Sequence, residues 1–316
     1  MIIPYKMEQL KVVSVNISAG KGTIKTPVKE INLTQQGVEG DAHSGQWNRQ
    51  ISILGMNSIR KTRQQAGRTI LPGEFAENIS LEGFDYTQVH PLDRFTCGGT
   101  EIEVTQIGKE CHGTSCAIFK ETGDCVMPKE GIFARVLNPG MIRAGDVLEF
   151  HPKMFRALVI TLSDRASSGE YEDKSGARLQ EILHSFFHEQ GLNLYIHHSL
   201  IPDDPHKLEE LVHKAKDELV DILITTGGTG IGFRDFTVDI IKPRLDKEIP
   251  GIMEMIRMKY GALKPQALLS RSVAGVMGKT LVFTLPGSVK AVNEYMDEIL
   301  KSMLHMIHML HGLDAH

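Results

Sequence analysis

The sequence predicts two domains of different class. Residues 1–152 read as a β-rich, barrel-like domain, and residues 153–316 as a three-layer α/β domain with a mostly parallel sheet and helices on both faces. Three observations lead there. The chain has 316 residues, whereas one domain takes up ~150. Its first half carries short alternating apolar runs broken by Gly and Pro, the pattern of small strands joined by turns. Its second half alternates continuous apolar runs with segments of helical period, the rhythm of right-handed βαβ crossovers.

In the first half, Val13, Val15 and Ile17 alternate before the turn Ala19-Gly20-Lys21-Gly22. Ile102 and Val104 alternate likewise, and Ile132, Ala134 and Val136 precede the turn Asn138-Pro139-Gly140. His151-Pro152-Lys153 marks a short connection between the domains. All four cysteines, Cys97, Cys111, Cys116 and Cys125, fall in this half. No Cys-x-x-Cys pair favours zinc, and the start Met1-Ile2-Ile3-Pro4 has no signal-peptide pattern, so thiols in a reducing cytoplasm are expected. Cys111 lies near Lys109 and His112, cations that favour the nucleophilic thiolate. A buried, inert thiol is the competing reading, and the one kept for Cys116 and Cys125.

In the second half, residues 157–162 form a buried-strand run that opens into Ser163-Asp164-Arg165-Ala166-Ser167-Ser168-Gly169. Leu179, Ile182, Leu183 and Phe186 follow at helix spacing, then a strand over 194–201. Asp204 and Pro205 suit an N-cap and first turn, and Leu208, Leu211, Val212, Ala215 and Leu219 are expected on one face of that helix. The run 220–226 fills a strand buried on both faces and stops at Gly227-Gly228-Thr229-Gly230. Inward-turned amides in such a loop make a nest for anionic oxygens. Asp235 follows, and a carboxylate beside a phosphate cradle suits Mg²⁺. The loop is neither a P-loop nor the dinucleotide fingerprint, and a plain tight turn is the alternative. Ligands in such folds sit beyond the carboxyl ends of the strands, where Asp164, Asp203, the glycine loop and Asp235 gather. Asp164 reads equally as a loop cap, and Asp203 as the residue before a cap.

Helices are expected over 238–245 and from Pro250 to about Tyr260, then a hairpin at Met277-Gly278-Lys279. Ser288 caps a last helix with Val289, Val292, Met296, Ile299, Met303, Ile307 and Leu310 on one stripe. His305, His308 and His311 suit a solvated helix face, and the 14 Met residues suit core filler or a subunit contact. A net charge of −4 argues against a nucleic-acid partner. No apolar run approaches the ~20 residues that span a membrane.

Together, Ser163 to Gly169, Ile201-Pro202-Asp203, Thr225 to Gly230 with Arg234-Asp235, Pro250-Gly251 with Glu254, Leu269-Ser270-Arg271 and Leu285-Pro286-Gly287-Ser288 resemble a MogA/MoaB-type molybdopterin adenylyltransferase domain. The resemblance runs from about Arg156 onward. It implies Asp203 and Asp235 as catalytic, Mg²⁺-holding aspartates. It also implies a pterin-phosphate loop at Gly227, Gly228, Thr229 and Gly230. Ser163, Asp164, Ser270, Pro286, Gly287 and Ser288 would complete the pterin or adenylate pocket. ATP and molybdopterin would be the substrates and a homo-oligomer, a trimer by analogy, the assembly. Gly40-Asp41-Ala42-His43-Ser44-Gly45, Gly73-Glu74 with Glu77-Asn78-Ile79, Cys111, Ala134-Arg135-Val136 and Arg143 to Asp146 resemble a MOSC domain over about 10–150. That resemblance implies sulfur or pterin-cofactor handling through Cys111. Two other readings of the whole chain are molybdate insertion and a non-catalytic molybdopterin carrier or store.

Overall fold

The computed structural model describes residues 9–66, 68–110 and 125–313, and the chain divides into two compact units, Met1–Lys153 and Met154–His316. In the first unit, seven strands close a barrel: β1 (Gln9–Ile17), β5 (Ile51–Gly55), β6 (Ile79–Glu82), β7 (Arg94–Cys97), β8 (Thr100–Ile107), β9 (Ile132–Asn138) and β11 (Val147–His151). Their order is β11-β7-β8-β9-β5-β6-β1, and β1 returns to pair with β11. A ring of odd number cannot alternate direction all the way round. The one parallel pair is β5–β6, joined through the helix α1 (Met56–Ala66). Closure leaves the ring no free edge. β2 (Thr26–Val28) adds to β1, while β3 (Glu30–Thr34), β4 (Gly37–Val38) and β10 (Gly140–Arg143) form a small second sheet. A short helix, α2 (Met127–Glu130), precedes β9.

The barrel interior holds Val12, Val15, Ile53, Phe95, Ile102, Val104, Ile132, Ala134 and Leu148. The alternation read for β1 is corrected by this packing. Val13 is 38% exposed and Val12 is buried, because a register shift between Val12 and Ser14 changes which residues face inward.

The second unit is a six-stranded sheet in the order β13-β12-β14-β17-β16-β15. β12 (Met154–Leu162), β13 (Asn193–Ile201), β14 (Ile222–Thr226) and β17 (Thr280–Leu285) run parallel. β16 (Ala274–Met277) returns antiparallel to β17 through the two-residue turn Gly278-Lys279, and β15 (Lys247–Glu248) pairs antiparallel with β16. The helices are α3 (Asp164–Ser167), α4 (Lys174–Glu189), α5 (Pro205–Asp217), α6 (Thr237–Ile241), α7 (Pro250–Leu263) and α8 (Val289–Leu310). On one face, Leu158, Ile160, Leu223 and Val282 pack against Leu208, Val212 and Ala215 of α5 and Val238 and Ile241 of α6. On the other, Phe155 meets Phe187 of α4 at 5.2 Å between ring centroids, α4 packs on α8, and α8 on β17. Leu219 departs from its expected helical face. It lies beyond the end of α5 with φ of 51° and is 76% exposed, so it serves the turn into β14.

Candidate functional site

The four parallel strands end almost level. Leu162 is opposite Ile201, Thr161 opposite Thr226, and Thr226 opposite Leu285. The loops that leave β12, β13, β14 and β17 therefore emerge along one edge, where open parallel sheets place their ligands. Ser163 caps α3, accepting the Ala166 N–H at 3.2 Å, and Ser288 caps α8, accepting the Ala291 N–H at 3.2 Å.

The glycine loop after β14 is fastened through its carbonyls. Gly227 and Gly228 have φ of 110° and 65°, and a Cβ on Gly227 would lie 2.4 Å from the Leu162 carbonyl oxygen. Thr237 Oγ1 donates to Gly227 O at 2.9 Å, and the Thr237 N–H donates to Gly228 O at 3.1 Å. The Arg271 N–H donates to Thr229 O at 2.8 Å, and Arg271 Nε donates to Gly230 O at 2.7 Å. Arg271 also donates to the Asp235 carbonyl and forks onto the Asp239 carboxylate at 2.7 and 2.9 Å. The N–H groups of Gly228, Thr229 and Gly230 have no acceptor among the described residues. With carbonyls held and amides left over, the loop offers the positive ends of its peptide dipoles.

These same three residues line a cavity of about 380 Å³ together with Asp235, Ser270, Pro286, Gly287 and Ser288. Gly227 sits behind it; a Cβ on Gly287 would approach Gly227 Cα to 3.4 Å. Tyr260 and Lys264 from the α7 end, and Lys290 and Tyr295 from α8, complete the wall. Sequence reasoning missed these four. Nothing in a single sequence pairs the end of α7 with the start of α8, so their shared cavity has no linear signal.

Ser163, Asp164 and Asp203 are not among the residues that line this cavity. They form a second cluster. Asp164 Oδ1 accepts the Asp203 N–H at 2.9 Å, and Asp164 Oδ2 accepts from Arg234 Nη1 at 3.0 Å. Asp164 thus braces two loops instead of capping its own helix. Asp235 Oδ2 accepts the Gly232 N–H at 2.8 Å, which fixes that carboxylate at the loop. Burial raises the Asp203 carboxyl above the ordinary range. The charges of Asp164 and Asp235 raise it further, against the Asp164 N–H and Arg234, which lower it. Crowded carboxylates of this kind favour a cation. As the side chains stand, with Asp164 paired to Arg234, no group of three or more His, Cys, Asp or Glu among the described residues is placed to hold a metal. Carboxylate oxygens such as those of Asp203 and Asp235 are the donor type that Mg²⁺ takes alongside phosphate.

In the first unit, Asp41, His43, Glu77 and Asn78 converge on a lysine that sequence reasoning did not single out. Lys25 is buried and paired with Asp41, whose carboxylate also accepts from Ser18 N–H at 3.1 Å and Asn78 Nδ2 at 3.2 Å. Asp41 stays far below the carboxylate range because His43 and Lys25 hydrogen bonds outweigh its burial. Glu77 is fully buried, which pushes it up to about 7 despite hydrogen bonds from the Gly73 N–H and Ser80. A carboxyl raised in the folded state binds a proton that the unfolded chain has lost. Its stabilisation is complete below about pH 4.5 and fades as pH rises through about 7. Glu77→Gln is expected to flatten that decline relative to the parent, read as denaturation midpoints of the N-terminal unit between pH 4 and 8.

Cys111 and Cys116 lie outside the described residues. Cys97 and Cys125 are half-buried, and burial and Asp146 push the Cys97 thiol up, away from a reactive thiolate.

Comparison with known proteins follows this division. A family described as a probable molybdopterin binding domain matches residues 158–306, and the MOSC domain family matches residues 40–149. A molybdopterin adenylyltransferase of Helicobacter pylori is 36% identical over 156 residues, covering 49% of this chain and 86% of the relative. One from Pyrococcus furiosus is 38% identical over 163 residues, covering 49% of this chain and 91% of the relative. A molybdenum cofactor biosynthesis bifunctional protein of Chlorobaculum tepidum is 32% identical over 169 residues, covering 53% of this chain and 51% of the relative. Matched over most of the length of the first two relatives and carrying a MOSC domain ahead of that match, the chain belongs to the MogA/MoaB-type molybdopterin adenylyltransferase family, in a fusion with an N-terminal MOSC domain.

Proposed function

We propose that the C-terminal domain adenylylates molybdopterin with ATP in a Mg²⁺-dependent reaction. A terminal phosphate oxygen of molybdopterin attacks the α-phosphorus of ATP and forms a new P–O bond. The bond from that phosphorus to the bridging α–β oxygen breaks, and pyrophosphate leaves with the electron pair. The observation that carries this reading is the glycine loop with its carbonyls clamped and its amides left over, beside coupled carboxylates. Transfers of this kind depend on position and charge neutralisation. The loop amides and the start of α8 hold phosphate oxygens, and the walls from Tyr260 and Tyr295 receive the pterin or the adenylate. Asp203 and Asp235 would hold Mg²⁺, which would supply charge neutralisation between two anionic substrates.

The deciding experiment is pyrophosphate release by the purified chain with ATP and molybdopterin, with and without Mg²⁺. Tight molybdopterin binding with no release would make the protein a carrier or store. The fragment beginning at Met154 is expected to fold alone and to retain the full chain's kcat, because residues 154–316 form a compact unit of their own. Loss of turnover by a folded fragment would place part of the site in the N-terminal half.

The N-terminal domain handles sulfur or the same cofactor through Cys111 in this proposal, and the assembly is a cytoplasmic homo-oligomer, a trimer by family analogy. Fusion would keep a labile intermediate at high effective concentration between two sites. After brief alkylation of the folded protein, peptide mapping is expected to show Cys111 modified faster than Cys97, Cys116 and Cys125. A Cys111 that reacts slowest would leave this half a binding role only.

A further inference from the structure

Two arginines, Arg271 and Arg234, are held in opposite ways. Arg271 is built in: its guanidinium forks onto Asp239 and also holds two loop carbonyls. Arg234 makes a single-nitrogen contact with Asp164 Oδ2 at 3.0 Å. The side chains of that pair are 64% and 46% exposed, and the guanidinium lies 5.8 Å from the ring of Phe233, itself 98% exposed. An exposed monodentate ion pair is weak. It also leaves most of the fork of Arg234 without a carboxylate, although that fork matches phosphate oxygens in pairs.

The pair stands where opposite charges would arrive together. Arg234 immediately precedes Asp235 in the chain, and Asp164 takes the N–H of Asp203 on its other oxygen. These are the two carboxylates assigned above to the cation. Three carboxylates bear on one another here, and Arg234 is a cation that offsets them. A polyphosphate entering with a divalent ion presents Arg234 with a more highly charged, two-toothed acceptor, and presents Asp164 with a stronger cation.

We propose that Asp164 and Arg234 form an exchangeable ion pair, closed in the free site and split by a metal-bound polyphosphate, Arg234 passing to the phosphate oxygens and Asp164 to the cation. The pair shields its two charges from each other's environment until both counter-ions are present. Neither ligand alone recovers the whole loss of the pair, so metal and polyphosphate bind cooperatively. This extends the adenylyl-transfer reading and rests on it.

The test is a crossed pair of binding measurements on the full chain. Inorganic pyrophosphate is titrated calorimetrically in EDTA, and Mn²⁺, standing in for Mg²⁺, is titrated by electron paramagnetic resonance without nucleotide. Arg234→Gln is expected to weaken pyrophosphate about 10-fold and to tighten Mn²⁺ about 3-fold, as the competing partner is removed. Asp164→Asn is expected to do the reverse, weakening Mn²⁺ about 10-fold and tightening pyrophosphate about 3-fold. Asn keeps an acceptor for the Asp203 N–H, and both side chains are well exposed, so the variants retain the fold. Parallel weakening of both ligands by both variants would make the pair a structural brace and overturn the proposal, as would no change in either. Absence of pyrophosphate release by the parent protein would instead overturn the adenylyl-transfer reading, and the crossed binding pattern distinguishes the two failures.

Discussion

Asp235→Asn is expected to lower kcat by about 100-fold or more, the scale of losing an electrostatic stabiliser, with molybdopterin affinity nearly unchanged. Asn keeps an oxygen for the Gly232 N–H, which Asp235 Oδ2 accepts at 2.8 Å, so the loop holds its shape while the charge disappears. A second sign accompanies the loss. The Asp235 charge is among the causes that raise the Asp203 carboxyl, so its removal lets Asp203 ionise at lower pH. The acid limb of any residual activity is expected to move to lower pH in the variant. Single-turnover rates across pH 5–8, beside molybdopterin titrations, check both effects; parental turnover in the Asn variant would remove Asp235 from the chemistry. Asp203→Asn is expected to lower kcat similarly.

Gly227→Ala is expected to destabilise the C-terminal unit by roughly 3 kcal/mol. About 1–2 kcal/mol comes from the positive φ, and a further ~1–3 kcal/mol from overpacking, since the new Cβ would lie 2.4 Å from the Leu162 carbonyl oxygen. That oxygen belongs to the neighbouring strand and cannot swing aside as a side-chain tip would. For a unit of this size the melting temperature should fall by roughly 6–12 °C. Gly251→Ala is the matched control: it lies in α7, and a Cβ there would meet nothing within 4 Å. Scanning calorimetry of the fragment from Met154 compares the two. Equal melting temperatures would show that the loop can move away from β12.

The loops and caps around the candidate C-terminal site were legible in the sequence wherever the structure is set locally. Glycines 227 and 228, the Ser288 cap and the Asp204-Pro205 helix start are each fixed by a few neighbouring residues, and the structure shows them at those positions. The βαβ rhythm placed the four loops at one sheet edge. What failed to show was what depends on register or on distant partners. The inward set of β1 changes at a bulge that alternation alone does not reveal. Arg271 stood out only as part of a motif, because its clamp acts on carbonyls 36 and 41 positions earlier. Lys25 was passed over because nothing in its neighbourhood announces a buried ammonium. It is buried because Asp41, 16 positions later, supplies the carboxylate.

The Arg271 clamp also sets an order of assembly. The glycine loop is synthesised before the segment that fastens it, and the separation between Gly230 and Arg271 is 41 positions. Until that segment docks, the loop carbonyls at 229, 230 and 235 lack their partner and the peptide planes are free to turn. A nascent chain that ends just after Asp235 therefore has the glycine loop but not the contacts that Arg271 makes to its carbonyls. The loop carbonyls that Arg271 holds are fixed only once the later segment is in place.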